Sequence, residues 1–308
     1  MARFTLLDVA IANGSDAVTG LIEEATKAHP EIMLGQARTI AGLQYKTLVR
    51  TANPTVSFRN ANEGVVASKG TYENRLVETF ILNPRIEADK AVADAFEDGW
   101  EAALAMEAMG ITEASMQILA KCFYYGVRTA YGGDAKAFPG LLDAYDSTNM
   151  VVDAGGTTDD TASSVWAVKF GPKDVQWVYG NGGELAVTDP RIETIYDASN
   201  NPLTGYVQEL LARPGLQVGS IRSIGRIKKL TADSGKGLTD ARIAALLEQF
   251  EVGVVPDVLM MNRRSLKQLR ESRTATNTTG APAPFPVESF NIPIAVTDSI
   301  SSIEKLAL

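Results

Sequence analysis

The sequence predicts an α+β fold, with helices and antiparallel strands kept in separate stretches rather than alternating. Two observations carry that expectation. Apolar residues recur at every second position through residues 38–86, then at every third or fourth from Asp89 to Tyr125. Beyond residue 150 the chain becomes a series of short strand-like runs broken by two helical ones.

The first 30 residues read as two short helices. "LLDVAIAN" closes at Gly14, and "SDAVTGLIEEATKAH", capped by Ser15 or Asp16, closes at Pro30. They are too small for a core of their own and so form an arm that packs elsewhere. His29, just ahead of Pro30, is expected at an exposed helix C-terminus. Next, "LQYKTLVRT" and "ENRLVETFIL" alternate as strands, with "TVSFRN" after Pro54 as a further strand-like piece. "RNANEGVVASKGTY" between them is rich in Gly, Asn, Ser and charge, so the stretch reads as a long hairpin whose tip lacks apolar anchors. A two-stranded ribbon is marginal alone. Its support is expected from neighbouring subunits.

In the helical stretch, Val92, Phe96, Trp100 and Leu104 fall four apart, and Ile111, Ser115, Ile118 and Cys122 continue at three or four. If continuous, it makes a rod of roughly 55 Å, with Gly99 and Gly110 as places to bend or split it. "YGGDAKAFPGLLDAY" follows as a structural elbow. Gly132 and Gly133 permit unusual backbone angles, Pro139-Gly140 makes the turn, and Phe138, Leu141 and Leu142 anchor it. The strand-like runs are "SSVWAVKFG", "DVQWVYG", "ELAVTD", "RIETIYD" and "LQVGSIRSIGRIKKL". A helix at 239–250, the strand "DVLMMN", the helix "RRSLKQLRES", a polar "TATNTTGAPAP" and the strand "IPIAVTD" complete the chain. There is no internal repeat.

Composition removes whole classes of function. The 308 residues are 45% hydrophobic and 21% charged, ordinary for a globular protein and enough for two modules or one elongated one. No apolar run reaches the ~18–20 residues of a membrane span, and the start lacks a secretory signal. Cys122 is the only cysteine, so a reducing compartment is the natural reading. Lys and Arg total 29 against 37 Asp and Glu, a net charge of −8 that disfavours a dedicated nucleic-acid binder.

Chemistry is scarce. His29 is the only histidine, which removes histidine-rich metal sites and two-histidine acid–base schemes. Cys122 lies on an apolar helical face between Leu119 and Phe123 and reads as a buried thiol. "TADSGKGLTD" fails as a phosphate loop twice, at Leu230 and at Gly237, and reads as a Gly loop with Thr239 capping the next helix. "GNGGEL" reads as a hairpin turn. Asn277-Thr278-Thr279 fits a glycosylation pattern that carries no weight without secretion, and Asp159-Asp160 and Glu23-Glu24 read as solvated pairs. No catalytic, cofactor or metal motif is present, so no enzyme and no cofactor is expected.

The order of the stretches resembles one family. "FRNANEGVVASKGTYENRLVETFIL", "EASMQILAKCFYYG", "GGDAKAFPGLLDAY", "VPDVLMMNRRSLKQLRES" and "FNIPIAVTDSI" resemble, in turn, five parts of a tailed-bacteriophage major capsid protein of the Hong Kong phage fold. These are the E-loop, the end of the spine helix, the turn leaving it, and the strand–helix and late strand of the axial domain. The resemblance implies an N-terminal arm at 1–42, an E-loop hairpin at 43–86 and a spine helix of the peripheral (P) domain at 87–130. It implies P- and A-domain strands at 131–230 and an axial (A) domain at 231–308. Relatives often carry a scaffolding segment ahead of the arm and further peripheral strands at the end. Here the strands from "SSVWAVKF" to "GRIKKL" are expected to supply the latter.

The function so implied is a head protein that assembles with itself, as pentamers and hexamers, into an icosahedral shell. That shell encloses double-stranded DNA without sequence-specific binding. A separate scaffolding protein and portal are implied, with no membrane, and assembly in the host bacterial cytoplasm before residence in the virion capsid. An encapsulin-type compartment shell is the alternative. The expected inter-subunit contacts are Phe58, Arg59, Asn62, Glu63, Lys69, Tyr72 and Arg75, and the elbow is Gly132, Gly133, Pro139 and Gly140. Some relatives join a hairpin lysine to a neighbour's asparagine; Lys69, in a solvated tip, is read as solubilising instead.

Overall fold

The computed structural model describes residues 27–144, 150–183, 186–275 and 281–307. Most of the expected arm, Glu23-Glu24 and Asn277-Thr278-Thr279 lie outside them. The described chain opens with helix α1 (Pro30–Leu34) and strand β1 (Ala37–Thr39), then the ribbon β2 (Gln44–Ala52) and β3 (Thr71–Glu78). Strand β4 (Arg85–Asp89), the short α2 (Lys90–Ala93), the long α3 (Trp100–Tyr125) and α4 (Leu141–Ala144) follow. Next come β5 (Val151–Asp153), β6 (Ser163–Val168), β7 (Val175–Tyr179), β8 (Ala186–Val187), β9 (Arg191–Tyr196), β10 (Pro202–Leu211), β11 (Pro214–Val218) and β12 (Ile224–Leu230). The chain closes with α5 (Asp240–Glu248), β13 (Val258–Met261), α6 (Arg263–Ala275), β14 (Glu288–Ser289) and β15 (Ile292–Val296).

The largest sheet has the order β14-β15-β13-β6-β12-β5. Its centre, β6, is buried along its whole length. Alternate side chains leave opposite faces of a strand, and here both faces meet apolar partners. Trp166 and Val168 join the end of α3 through Phe123 and Tyr124, and Val165 and Ala167 join Ile243, Leu246 and Leu269 of α5 and α6. Burying each of these large side chains fully is worth roughly 1.5–3 kcal/mol. β6 and β12 precede residue 231 while β13 and β15 follow it, so the sheet straddles the expected division at 231. A second sheet, β1-β7-β11, joins the same core through Trp177, and a third, β4-β10-β8 with β9 on β10, carries the start of α3. There Trp100 stacks on Tyr206 with ring centroids 4.5 Å apart.

Several sequence expectations change. Two of the four sheets are mixed rather than antiparallel: β1 pairs β7, β12 pairs β5, and β13 pairs β15, each in parallel. For β13 and β15 the cause is α6, a crossover that returns the chain in the same direction. The rod does not run from Asp89 to Tyr125. Residues 85–89 are a strand, and Gly99, at φ 88°, ends the turn before α3 begins at Trp100. At 26 residues α3 is about 39 Å long, and it passes unbroken through Gly110. "TVSFRN" forms no strand, because Pro54 has no N–H to donate and no partner strand lies beside it.

"LQVGSIRSIGRIKKL" divides into β11 and β12 around a short turn at Ile221–Ser223. "GNGGEL" does not close a hairpin, since β7 pairs β1 and β11 while β8 pairs β10. His29 is not an exposed helix end. Pro30 starts a helix, as its fixed φ suits a first turn. The His29 ring is 11% exposed, with Nε2 3.1 Å from Glu113 Oε1.

Candidate assembly surfaces

The hairpin is fixed at its root and free at its end. Thr79 donates from its backbone N–H (2.9 Å) and its hydroxyl (2.8 Å) to Leu43 O, and Phe80 N–H donates to Pro214 O at 2.8 Å. Tyr45 donates its hydroxyl to Gln217, which also accepts from Gln176 Nε2 at 2.8 Å and donates to Pro172 O at 3.0 Å. Burial raises the Tyr45 pKa, so that donor stays protonated.

From this root the ribbon presents two different faces. Tyr45, Thr47, Val49, Arg75 and Val77 turn to the body, where the Arg75 guanidinium reaches Gly219 O at 3.4 Å. Lys46, Leu48, Arg50, Tyr72, Asn74 and Leu76 turn to solvent. Of the expected contact residues, Tyr72 therefore lies on the free face, under the Arg50 guanidinium at 5.5 Å, and Arg75 on the docked one.

Phe58, Arg59, Asn62 and Glu63 lie in the tip, and Lys69 stands just outside its neck. Thr55 N–H and hydroxyl meet Ser68 Oγ at 2.9 and 3.0 Å and pinch its neck. Its end is a turn with Asn62 at φ 67°, where Asn60 N–H donates to Glu63 Oε2 (2.9 Å) and Arg59 Nη1 to Glu63 O (2.8 Å). Asn is among the few residues that accept that backbone region readily. The tip does carry apolar anchors, contrary to the sequence reading. Val56, Phe58 and Val66 stand almost entirely in solvent.

The elbow is backbone packed on backbone. Gly126 ends α3 at φ 54°, and Gly132 takes φ 88°. A Cβ at Gly133 would lie 2.2 Å from Gly126 O, and one at Gly140 would lie 2.5 Å from Gly126 N and 2.6 Å from Cys122 O. Pro139 leads into α4, whose Asp143 accepts from Gly140 N–H at 3.2 Å and pairs with Arg128. Phe138, Leu141 and Leu142 are buried in the central core, as the sequence implied. Cys122 is buried beside them, and burial pushes its thiol pKa up.

Two features carried no sequence signal. α1 is locked to the body by Glu31, a wholly buried carboxyl that accepts from Thr297 Oγ1, while Trp177 Nε1 donates to Glu31 O at 3.1 Å. The "SGKG" loop is tied rather than open. Arg242 donates to Gly237 O, to Gly235 O (2.8 Å) and to Ala154 O (3.1 Å). Asp233 accepts from Thr157 N–H (3.0 Å) and from the Thr158 (2.8 Å) and Thr231 (2.9 Å) hydroxyls, which hold it well below the usual carboxylate range. Thr239 caps α5, as expected.

Comparison with known proteins gives this architecture its family. The profile of the family described as Major capsid protein GP7 matches residues 17–307. The chain belongs to that family. It is a tailed-phage major capsid protein, and its copies assemble into the icosahedral shell of the virion. Its fold is similar to the capsid of bacteriophage Epsilon15, with a TM-score of 0.72 and 20% identity over 99% of this chain and 97% of that one. It is also similar to the bacteriophage JBD30 capsid, with a TM-score of 0.54 and 9% identity over 97% and 99% of the two chains. The SrpI encapsulin of Synechococcus elongatus PCC 7942 gives a TM-score of 0.47 at 9% identity over 76% and 98%. No curated protein matches the sequence.

Proposed function

We propose that the hairpin and the arm are the clamps of the shell, reaching across neighbouring subunits within pentamers and hexamers while the sheets and α3 set curvature. One observation carries this reading: residues 53–69 are all exposed. Ordering each residue costs ~1–2 kcal/mol, and the tip's few hydrogen bonds return little of that. A neighbouring subunit supplies the missing burial. The acidic balance lets double-stranded DNA pack inside without a sequence-specific grip. A separate scaffolding protein and portal complete the head in the bacterial cytoplasm, and the chain works by geometry rather than catalysis. Hydrogen exchange on free subunits and on assembled shells tests the clamp. Residues 53–70 exchange quickly in the free subunit and are protected in the shell. Equal protection in both states makes the hairpin a part of the subunit core instead.

A further inference from the structure

An apolar groove of about 410 Å³ opens between the chain leaving the hairpin and the middle of α3. Phe80 and Ile81 form one wall, Ile111 and Ile118 the other, and Asp134 and Lys136 stand on the rim. Ile81 is largely exposed on its lip. An apolar concavity with a few polar groups at its rim is a place where an apolar side chain can seat. The molecule carries a second unpartnered apolar feature, the hairpin tip with Val56, Phe58 and Val66.

We infer that the tip of one subunit seats Phe58, flanked by Val56 and Val66, in this groove of a second copy. The inference deepens the clamp reading and rests on it. The sizes agree: an apolar cavity of about 150 Å³ holds a benzene ring, so the groove has room for Phe58 and both valines. The charges agree as well. The tip offers Arg59 and Glu63 beside Phe58, and the rim offers Asp134 and Lys136. A subunit's own tip cannot reach its own groove. Phe80 is the second residue after β3, so the groove lies at the hairpin root, and the ladder of β2 and β3 holds the tip roughly 27 Å away. A tip seated there is therefore that of another subunit, which the shell supplies.

A photoreactive phenylalanine analogue at position 58 tests this in assembled shells. Because Phe58 touches nothing in its own subunit's core, the replacement leaves folding intact. Irradiation yields a covalent dimer whose cross-linked peptide contains residues 80–84, 111–122, 134–138 or Pro214 of a second copy. Cross-links to any other part of a second copy overturn the groove assignment and leave the clamp standing. An absence of cross-links between copies in intact shells overturns both. In parallel, Ile81→Glu places a charge on the exposed lip. It raises the subunit concentration needed for assembly at least tenfold, with an unchanged circular-dichroism spectrum and melting curve. Unchanged assembly of Ile81→Glu overturns the inference.

Discussion

The Arg226 guanidinium and the Glu304 carboxylate meet at 3.1 Å in the centre of the protein, each side chain 1% exposed. Glu304 also accepts from the Tyr125 hydroxyl at 2.5 Å and from Ser164 Oγ at 2.6 Å, and Ser164 Oγ in turn accepts from Arg226 Nε at 2.9 Å. The guanidinium lies 5.2 Å from the Trp166 ring centroid. One buried charge pair thus fastens β12, β6, the end of α3 and the last residues of the chain to one another. Both ions are stripped of water, so their attraction offsets a desolvation cost, and it does so only while all the partners are in place.

Glu304→Gln or Arg226→Met leaves the other charge buried without its counterion. Either single change costs about 3–5 kcal/mol in urea unfolding. The double change Arg226→Met with Glu304→Met costs much less than the sum of the singles. Additive costs would mean that the two side chains are not energetically coupled.

Glycines separate into two kinds. A Cβ at Gly140 meets backbone atoms on three sides, none of which can rotate away, so Gly140→Ala costs about 2 kcal/mol or more. Gly110, inside α3, has open space around it, so Gly110→Ala stabilises by about 0.8–1.0 kcal/mol through helix propensity. Opposite signs in thermal unfolding are the expected result.

The same contrast shows what the sequence could reveal. The elbow was legible because its glycines and proline act through their own backbones, and the hairpin because period-two alternation is local. β10 was missed although it is the longest strand at ten residues. Its "QELL" reads as helix-forming, and its partner β4 lies far back in the chain. Its local signal is "RIETIYDASNNPLTGYVQ", two strand-like runs about an Asn-rich turn, which pair as β9 and β10. Arg226, Glu304 and Glu31 had no local pattern at all. Their partners stand 78 residues apart in one case and 266 in the other, and only the folded chain brings them together.

Glu31 makes the seating of α1 pH-dependent. Burial raises its pKa above the ordinary value of about 4.3, while the hydrogen bond from Thr297 opposes the shift only in part. A raised folded pKa means that the folded state holds the proton more tightly than the unfolded state. The contribution is then fully present below the ordinary value and is lost as pH rises through the folded one. Glu31→Gln, which cannot ionise, gains stability relative to the parent as pH rises from 4 to 8. A constant difference across that range would show that Glu31 ionises as readily inside the fold as outside it.

The free face of the ribbon is a separate test of assembly, independent of the tip. Leu48 and Leu76 are well exposed there, so a subunit on its own draws little stability from either. Full burial of a leucine is worth roughly 1.5–3 kcal/mol, and a shell that covers this face gains that at every copy. Leu48→Ser with Leu76→Ser therefore leaves the melting temperature of the isolated subunit within about 1–2 °C of the parent. The same pair raises the subunit concentration for half-assembly by at least tenfold, since each 1.4 kcal/mol per contact is a factor of ten. Light scattering against subunit concentration measures the shift. If the doubly substituted subunit melts well below the parent, the two leucines support the subunit itself. If it assembles at the parent's concentration, this face of the ribbon stays in solvent in the finished shell.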